Sequence, residues 1–162
     1  MVETSALLNQ WINAARIEHI GHSRAAAYFD RMHIAVGLPV TILAAAVGTS
    51  VFTALAGSEN KWVLVVTGLA SMAAAVLAAL QTFLNYSERA ASHASAAARY
   101  GFLRRRLEMM TLTGTPMSPA EASSIEDDWK QLDEAAPVLS QRFHDEALKI
   151  AAPARAAERL AA

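Results

Sequence analysis

Two long stretches of this chain carry no charged side chain. Residues 34–57 read IAVGLPVTILAAAVGTSVFTALAG, and residues 62–86 read WVLVVTGLASMAAAVLAALQTFLNY. Only Ser58, Glu59, Asn60 and Lys61 separate them. At about 1.5 Å of rise per residue, each run spans roughly 36 Å as a helix, against about 30 Å of bilayer hydrocarbon. A water-soluble helix of this length would show a charged face, and neither run has one. The pattern predicts a transmembrane helical hairpin, with a first span over 34–57, an outer loop over 58–61 and a second span over 62–86.

The flanking segments are patterned differently. Over residues 4–33, Leu8, Trp11, Ala15, His22, Ala25, Phe29 and Met32 recur at steps of three, four or seven. That spacing predicts an amphipathic helix, capped by Thr4 or Ser5, leading up to the first span. Gly37-Leu38-Pro39 predicts a kink or break near residues 35–38, because proline removes a helical donor and crowds the preceding turn. The second span is expected to continue beyond the membrane over 87–112, where Tyr100, Leu103, Leu107 and Met110 form a new stripe. Thr113-Gly114-Thr115-Pro116 should end it. Ser118-Pro119-Ala120-Glu121 then carries a capping box and opens a helix over 118–152. Its apolar positions include Ile125, Trp129, Leu132, Phe143, Ala147 and Ile150, and Pro137 should kink or split it. Residues 153–162 read as a frayed tail. The expected fold is an all-α membrane protein: a two-helix transmembrane hairpin with amphipathic cytoplasmic helices before and after it, in a single domain over 1–162.

Composition agrees with this pattern and charge orients it. The 162 residues are 54% apolar and 18% charged, with mean hydropathy +0.23 and net charge -1, so bulk charge does not point to a nucleic-acid partner. No cysteine is present, which excludes a disulfide, a thiolate metal site and a cysteine nucleophile. The first apolar run begins at residue 34 and is too long for a secretory signal, so it reads as a retained anchor. Arg16, Arg24 and Arg31 precede the first span, and Arg89, Arg99 and Arg104 to Arg106 follow the second, whereas the loop has only Lys61. Positive charge collects on the cytoplasmic side, so both termini are expected there.

Candidate chemistry is sparse. In the second span, Thr67, Ser71, Ala74, Ala78, Gln81 and Asn85 follow alternating steps of four and three and share one small or polar face. A weaker version in the first span includes Thr41, Ala45, Gly48, Thr49 and Thr53. Small residues let helices approach closely in lipid, and polar ones add hydrogen bonds between helices. The same face could instead line a water-filled path in an oligomer. Arg104, Arg105 and Arg106 form the densest charge cluster. Pairing with the acidic stretch from Glu121 to Glu134 is the first reading, and an anionic ligand such as a nucleotide is the second, since guanidinium forks suit phosphate. His19 and His22 lie three apart beside Glu18, but two ligands do not make a metal site. His33, His93 and His144 are isolated in the sequence and read as packed or exposed. There is no Gly-rich phosphate loop, nucleophile elbow or zinc signature, so neither an enzyme nor a cofactor is expected.

Several stretches together resemble a known family. They are Tyr28-Phe29-Asp30-Arg31-Met32-His33, Gly37-Leu38-Pro39-Val40-Thr41-Ile42-Leu43, Thr82-Phe83-Leu84-Asn85-Tyr86-Ser87-Glu88-Arg89-Ala90 and Ala97-Ala98-Arg99-Tyr100. Taken in this order, over about residues 5–150, the chain resembles the SLATT domains, bacterial two-transmembrane effectors of nucleotide-signalling conflict systems. The resemblance implies a multi-pass protein of the bacterial inner membrane. It would oligomerise and open a pore or disrupt the bilayer when a signalling enzyme, sensor protein or nucleotide triggers it. The alternative is a membrane-anchored scaffold or sensor that recruits a cytoplasmic partner and conducts nothing.

Overall fold

The computed structural model describes residues 2–55, 61–113 and 117–161, and the side chains of 6–49, 61–113 and 117–153. The loop residues 58–60, the side chain of Thr53 and the stop at 114–116 lie outside these residues, whereas the first helix already begins at Val2, so Thr4 and Ser5 fall within it rather than at its cap. Among the described residues every regular element is an α-helix: α1 (Val2–Leu55), α2 (Lys61–Leu84), α3 (Tyr86–Thr113), α4 (Pro119–Ala135) and α5 (Gln141–Ala161).

The chain divides into two compact units. The hairpin unit, Tyr28–Arg89, contains the two uncharged runs. Windows of 18 residues within Ala6–Thr49 and Lys61–Thr113 reach mean hydropathy 1.7 and 2.4, and none of either window is buried inside the protein. A core helix of a soluble protein would be mostly covered by its neighbours. These are two apolar helices long enough to span a membrane.

The expected break near residues 35–38 is absent: α1 runs through Pro39 without interruption. Proline costs the helix one N–H donor. Locally the Thr41 hydroxyl donates to the Gly37 carbonyl at 3.1 Å, adding a bond in the affected turn. The interruption lies elsewhere. Asn85 stands alone between α2 and α3 with φ 46°, the left-handed region that asparagine tolerates better than most residues. Its N–H still donates to Gln81 O (3.3 Å) and its carbonyl accepts from Arg89 N–H (3.1 Å), so the ladder persists across the irregular residue. Its side-chain amide donates to the Glu88 carboxylate. The expected continuation of the second span is therefore present as α3, resuming one residue after α2.

The other unit combines residues up to Ala27 with Ala90–Ala162 and holds the apolar core. Leu8 and Ile12 of α1 meet Leu103 and Leu107 of α3 and Ile125 of α4, with Trp11, Met110, Trp129 and Leu132 around them. α4 starts as its sequence dictates. Ser118 Oγ accepts from Glu121 N–H at 3.2 Å, Ser118 N–H donates to the Glu121 carboxylate at 2.8 Å, and Pro119 occupies the first turn. Pro137 splits the C-terminal segment by forcing Ala136 to an extended ψ of 141°. α5 then buries Phe143, Ala147 and Ala151, leaving Ile150 41% exposed, and it continues past Pro153 where a frayed tail was expected.

Close approach of α1 and α3 needs a glycine. A Cβ on Gly101 would lie 2.8 Å from His19 Nδ1, the atom that donates to the Ala97 carbonyl at 2.8 Å. Gly101→Ala should cost about 1–3 kcal/mol by forcing the imidazole off that carbonyl. Gly68→Ala, with nothing within 4 Å of the added carbon, should be neutral. Thermal unfolding of the two variants in detergent, followed by circular dichroism, checks the contrast.

Candidate functional site

Two arrangements are candidates: the small and polar face of the hairpin, and a polar cluster within the other unit. In the hairpin, Thr67, Ser71, Ala74 and Gln81 sit on the partly covered side of α2, as do Val36, Gly37, Val40 and Leu43 on α1. Gly37 makes room for Gln81, whose Nε2 would lie 3.1 Å from a Cβ added there. Most of the seam therefore lies between the two spans. Ala78 and Asn85 are exposed, and so are Pro39, Thr41 and Thr49. The exposed threonines make no polar demand on their surroundings: Thr49 donates to Ala45 O (3.1 Å) and Ala46 O (2.9 Å), as Thr41 does to Gly37 O. Hydroxyls turned onto their own helix are compatible with lipid.

The second arrangement was not evident in the sequence. His22 is 2% exposed and His93 6%. Their Nδ1 atoms lie 2.9 Å apart, although the residues are 71 positions apart in the chain. One imidazole must donate and the other accept, so the pair holds opposite tautomers. Tyr100 stacks on His22 with centroids 5.5 Å apart, and its hydroxyl donates to Asp133 at 2.6 Å. Glu18 sits between His22 Nε2 and His144 Nδ1, each 3.8 Å from one of its oxygens. α1, α3, α4 and α5 each contribute to this cluster. His93 is packed, as expected, but against another histidine, and His144 faces a carboxylate. A polar residue, His22, on the apolar stripe of α1 was the one local signal. Among the described residues, no group of three or more His, Asp or Glu side chains is arranged to hold a metal ion.

Burial shifts these groups. Desolvation, reinforced by the neighbouring His93, lowers the His22 pKa to about 4, against a weaker opposing effect of Asp133. Desolvation lowers His93 too. Glu18 is raised by desolvation, partly offset by His144, with Asp133 adding to the rise. Burial and then the bond to Asp133 push the Tyr100 phenol up, so it stays protonated. The two imidazoles and the phenol are therefore held in their neutral forms beside the Glu18 and Asp133 side chains. A first proton could sit on an outer ring nitrogen and keep the N–H···N bond, whereas a second would set two donors face to face.

The arginine cluster does not act as a unit. Arg104 pairs with Glu108 at 3.3 Å, and Arg106 reaches Asp128 in the acidic stretch. Arg105 has no acidic partner among the described residues.

A hairpin of two uncharged helices, joined to a separately cored helical unit, defines a two-span α-helical membrane protein. The SMODS and SLOG-associating 2TM effector domain family 4 matches residues 16–128, more than half of the chain. The chain belongs to this SLATT family. No curated protein and no solved structure matches it.

The polar core makes stability depend on pH. A histidine whose pKa is depressed on folding contributes stability above the unfolded value of about 6.5, and that stability is lost as pH falls toward about 4. His93 acts in the same direction. Glu18 opposes both, because its raised pKa favours the folded state as pH falls. Each proton bound only by the unfolded chain costs about 1.4 kcal/mol per pH unit. The melting temperature should therefore drop between pH 7 and pH 5, and His22→Gln should flatten the profile. An unchanged slope in that variant would contradict this assignment.

Proposed function

We propose that this protein is a membrane effector of a bacterial conflict system. It assembles through its transmembrane hairpin and breaches the membrane when a partner protein or a ligand signals it. The observation that carries this reading is the pairing of two uncharged spans with a separately cored helical unit in a chain of the SLATT family. One hairpin cannot enclose a path for ions, so a pore requires several copies. In this reading the seam from Thr67 to Gln81 packs against α1 in the closed state and faces water in the open one. The termini lie in the cytoplasm and the membrane is the bacterial inner membrane, in keeping with the distribution of arginine around the spans. The protein acts without catalysis or a cofactor of its own, and nucleic acid is not its partner.

A second reading is a non-conducting scaffold or sensor anchored in the membrane. It draws support from the exposed side of the hairpin, where Thr41, Thr49 and Thr82 all satisfy their hydroxyls within their own helices.

Reconstitution into liposomes separates the two. The effector reading expects dye to leak once the purified protein meets its signalling partner or nucleotide, and Gln81→Leu with Asn85→Leu to reduce that leakage severalfold. Vesicles that stay sealed under every combination would favour the scaffold. Leakage unaffected by the double substitution would remove the seam from the path.

A further inference from the structure

α3 has two working faces. One carries Tyr100, Leu103 and Leu107 into the core. On the other, Ala98, Phe102, Arg105, Met109 and Leu112 follow steps of four, three, four and three, and all five are exposed. Phe102 is 64% exposed, Met109 62% and Leu112 80%. Side chains this large, aligned at helical spacing on one face, are what an approaching helix covers. Phe102 stands as a wall between two grooves of about 410 Å³ each. Arg99, Gln131 and Leu132 help to line one, and Arg105, Met109 and Thr113 the other.

Asp128 lines one groove but is paired with Arg106, so the charge left over on this face is positive. Among the described residues neither Arg99 nor Arg105 has an acidic partner, whereas Arg104 and Arg106 are engaged by Glu108 and Asp128. A complementary surface must bring apolar side chains at helical spacing together with carboxylates. Neither α3 nor α4 of a second copy supplies it. Two α3 faces set in register would oppose Arg105 to Arg105. The chain's own exposed acids on α4, Glu121, Glu126, Asp127, Asp133 and Glu134, have no large exposed apolar residue among them to cover Phe102, Met109 and Leu112.

We propose that this face of α3 docks an acidic amphipathic helix of a partner protein, with its apolar side chains in the two grooves and its carboxylates on Arg99 and Arg105. The proposal deepens the preceding reading, resting on its premise that a partner protein delivers the signal, and it names the surface that receives it.

The natural absence of cysteine provides a clean probe. Thr113→Cys places a single thiol at the rim of one groove, where it can hold a polarity-sensitive dye on the full chain in neutral-lipid nanodiscs. Two synthetic helical peptides with the same leucine stripe are compared, one flanked by glutamates and one by lysines. The proposal expects a saturable blue shift with the glutamate peptide alone. Arg99→Glu with Arg105→Glu should weaken it by about tenfold and turn the preference toward the lysine peptide. Both arginines are exposed, so circular dichroism should report an unchanged fold in that variant. Equal responses to the two peptides, or binding untouched by charge reversal, would overturn the proposal. A disulfide between unlabelled Thr113→Cys copies would assign the face to a second copy instead, and a shift produced by anionic vesicles alone would assign it to lipid. Leakage is measured in parallel. A protein that leaks but ignores the peptide refutes only the docking surface, and one that binds it but never leaks refutes only the breach.

Discussion

Hydrocarbon offers a polypeptide no hydrogen-bond partners, so any backbone that enters it must satisfy its own N–H and C=O groups. That constraint explains more of this chain than any contact between side chains. It requires the two uncharged runs to be helices. It also accounts for the exposed threonines, whose hydroxyls turn back onto carbonyls three or four residues earlier. Even the two irregular positions obey it. Pro39 removes one donor from a helix of 54 residues, which continues regardless. Asn85 adopts a left-handed φ but keeps hydrogen bonds on both sides. In the hairpin, small residues allow the close approach that lipid itself does not drive, as where the missing side chain of Gly37 leaves room for Gln81.

The other unit solves the opposite problem. Here α1, α3 and α4 bury an apolar cluster around Leu107 and Ile125. Yet part of its interior is polar: two buried imidazoles and a buried phenol, flanked by the half-buried Glu18 and the exposed Asp133. Partners that satisfy one another in pairs specify which helix faces which, and they leave the unit sensitive to acid. His22 packs through its ring against Tyr100 and through Nδ1 against His93, so it contributes as a flat filler and as a hydrogen-bonding group at once.

What could be read in the sequence follows the range of the interactions. Spans are set by local composition, and both were evident from their lack of charge. The start of α4 was evident too, because Ser118 and Glu121 satisfy each other within one turn. Proline interrupts the helix at Pro137 but not at Pro39 or Pro153. Of these three, only at Pro137 does the preceding residue leave the helix. Asn85 looked like one more member of the seam, and nothing local distinguished it as the residue where α2 ends. The histidine pair was invisible because its partners are 71 residues apart. The arginine triplet looked like one feature because its members are adjacent. In the helix they diverge by about 100° each, so two find separate acids and Arg105 faces outward.

The central claim is that the hairpin crosses the membrane with everything before and after it on the inner side. A chain without cysteine allows this to be measured site by site. Lys61→Cys marks the start of α2, and Ser140→Cys marks an exposed position between α4 and α5. In intact bacterial spheroplasts, a membrane-impermeant maleimide should label Lys61→Cys at once and Ser140→Cys only after the membrane is permeabilised. Labelling of Ser140→Cys in sealed spheroplasts, or equal labelling of both sites before permeabilisation, would contradict the account.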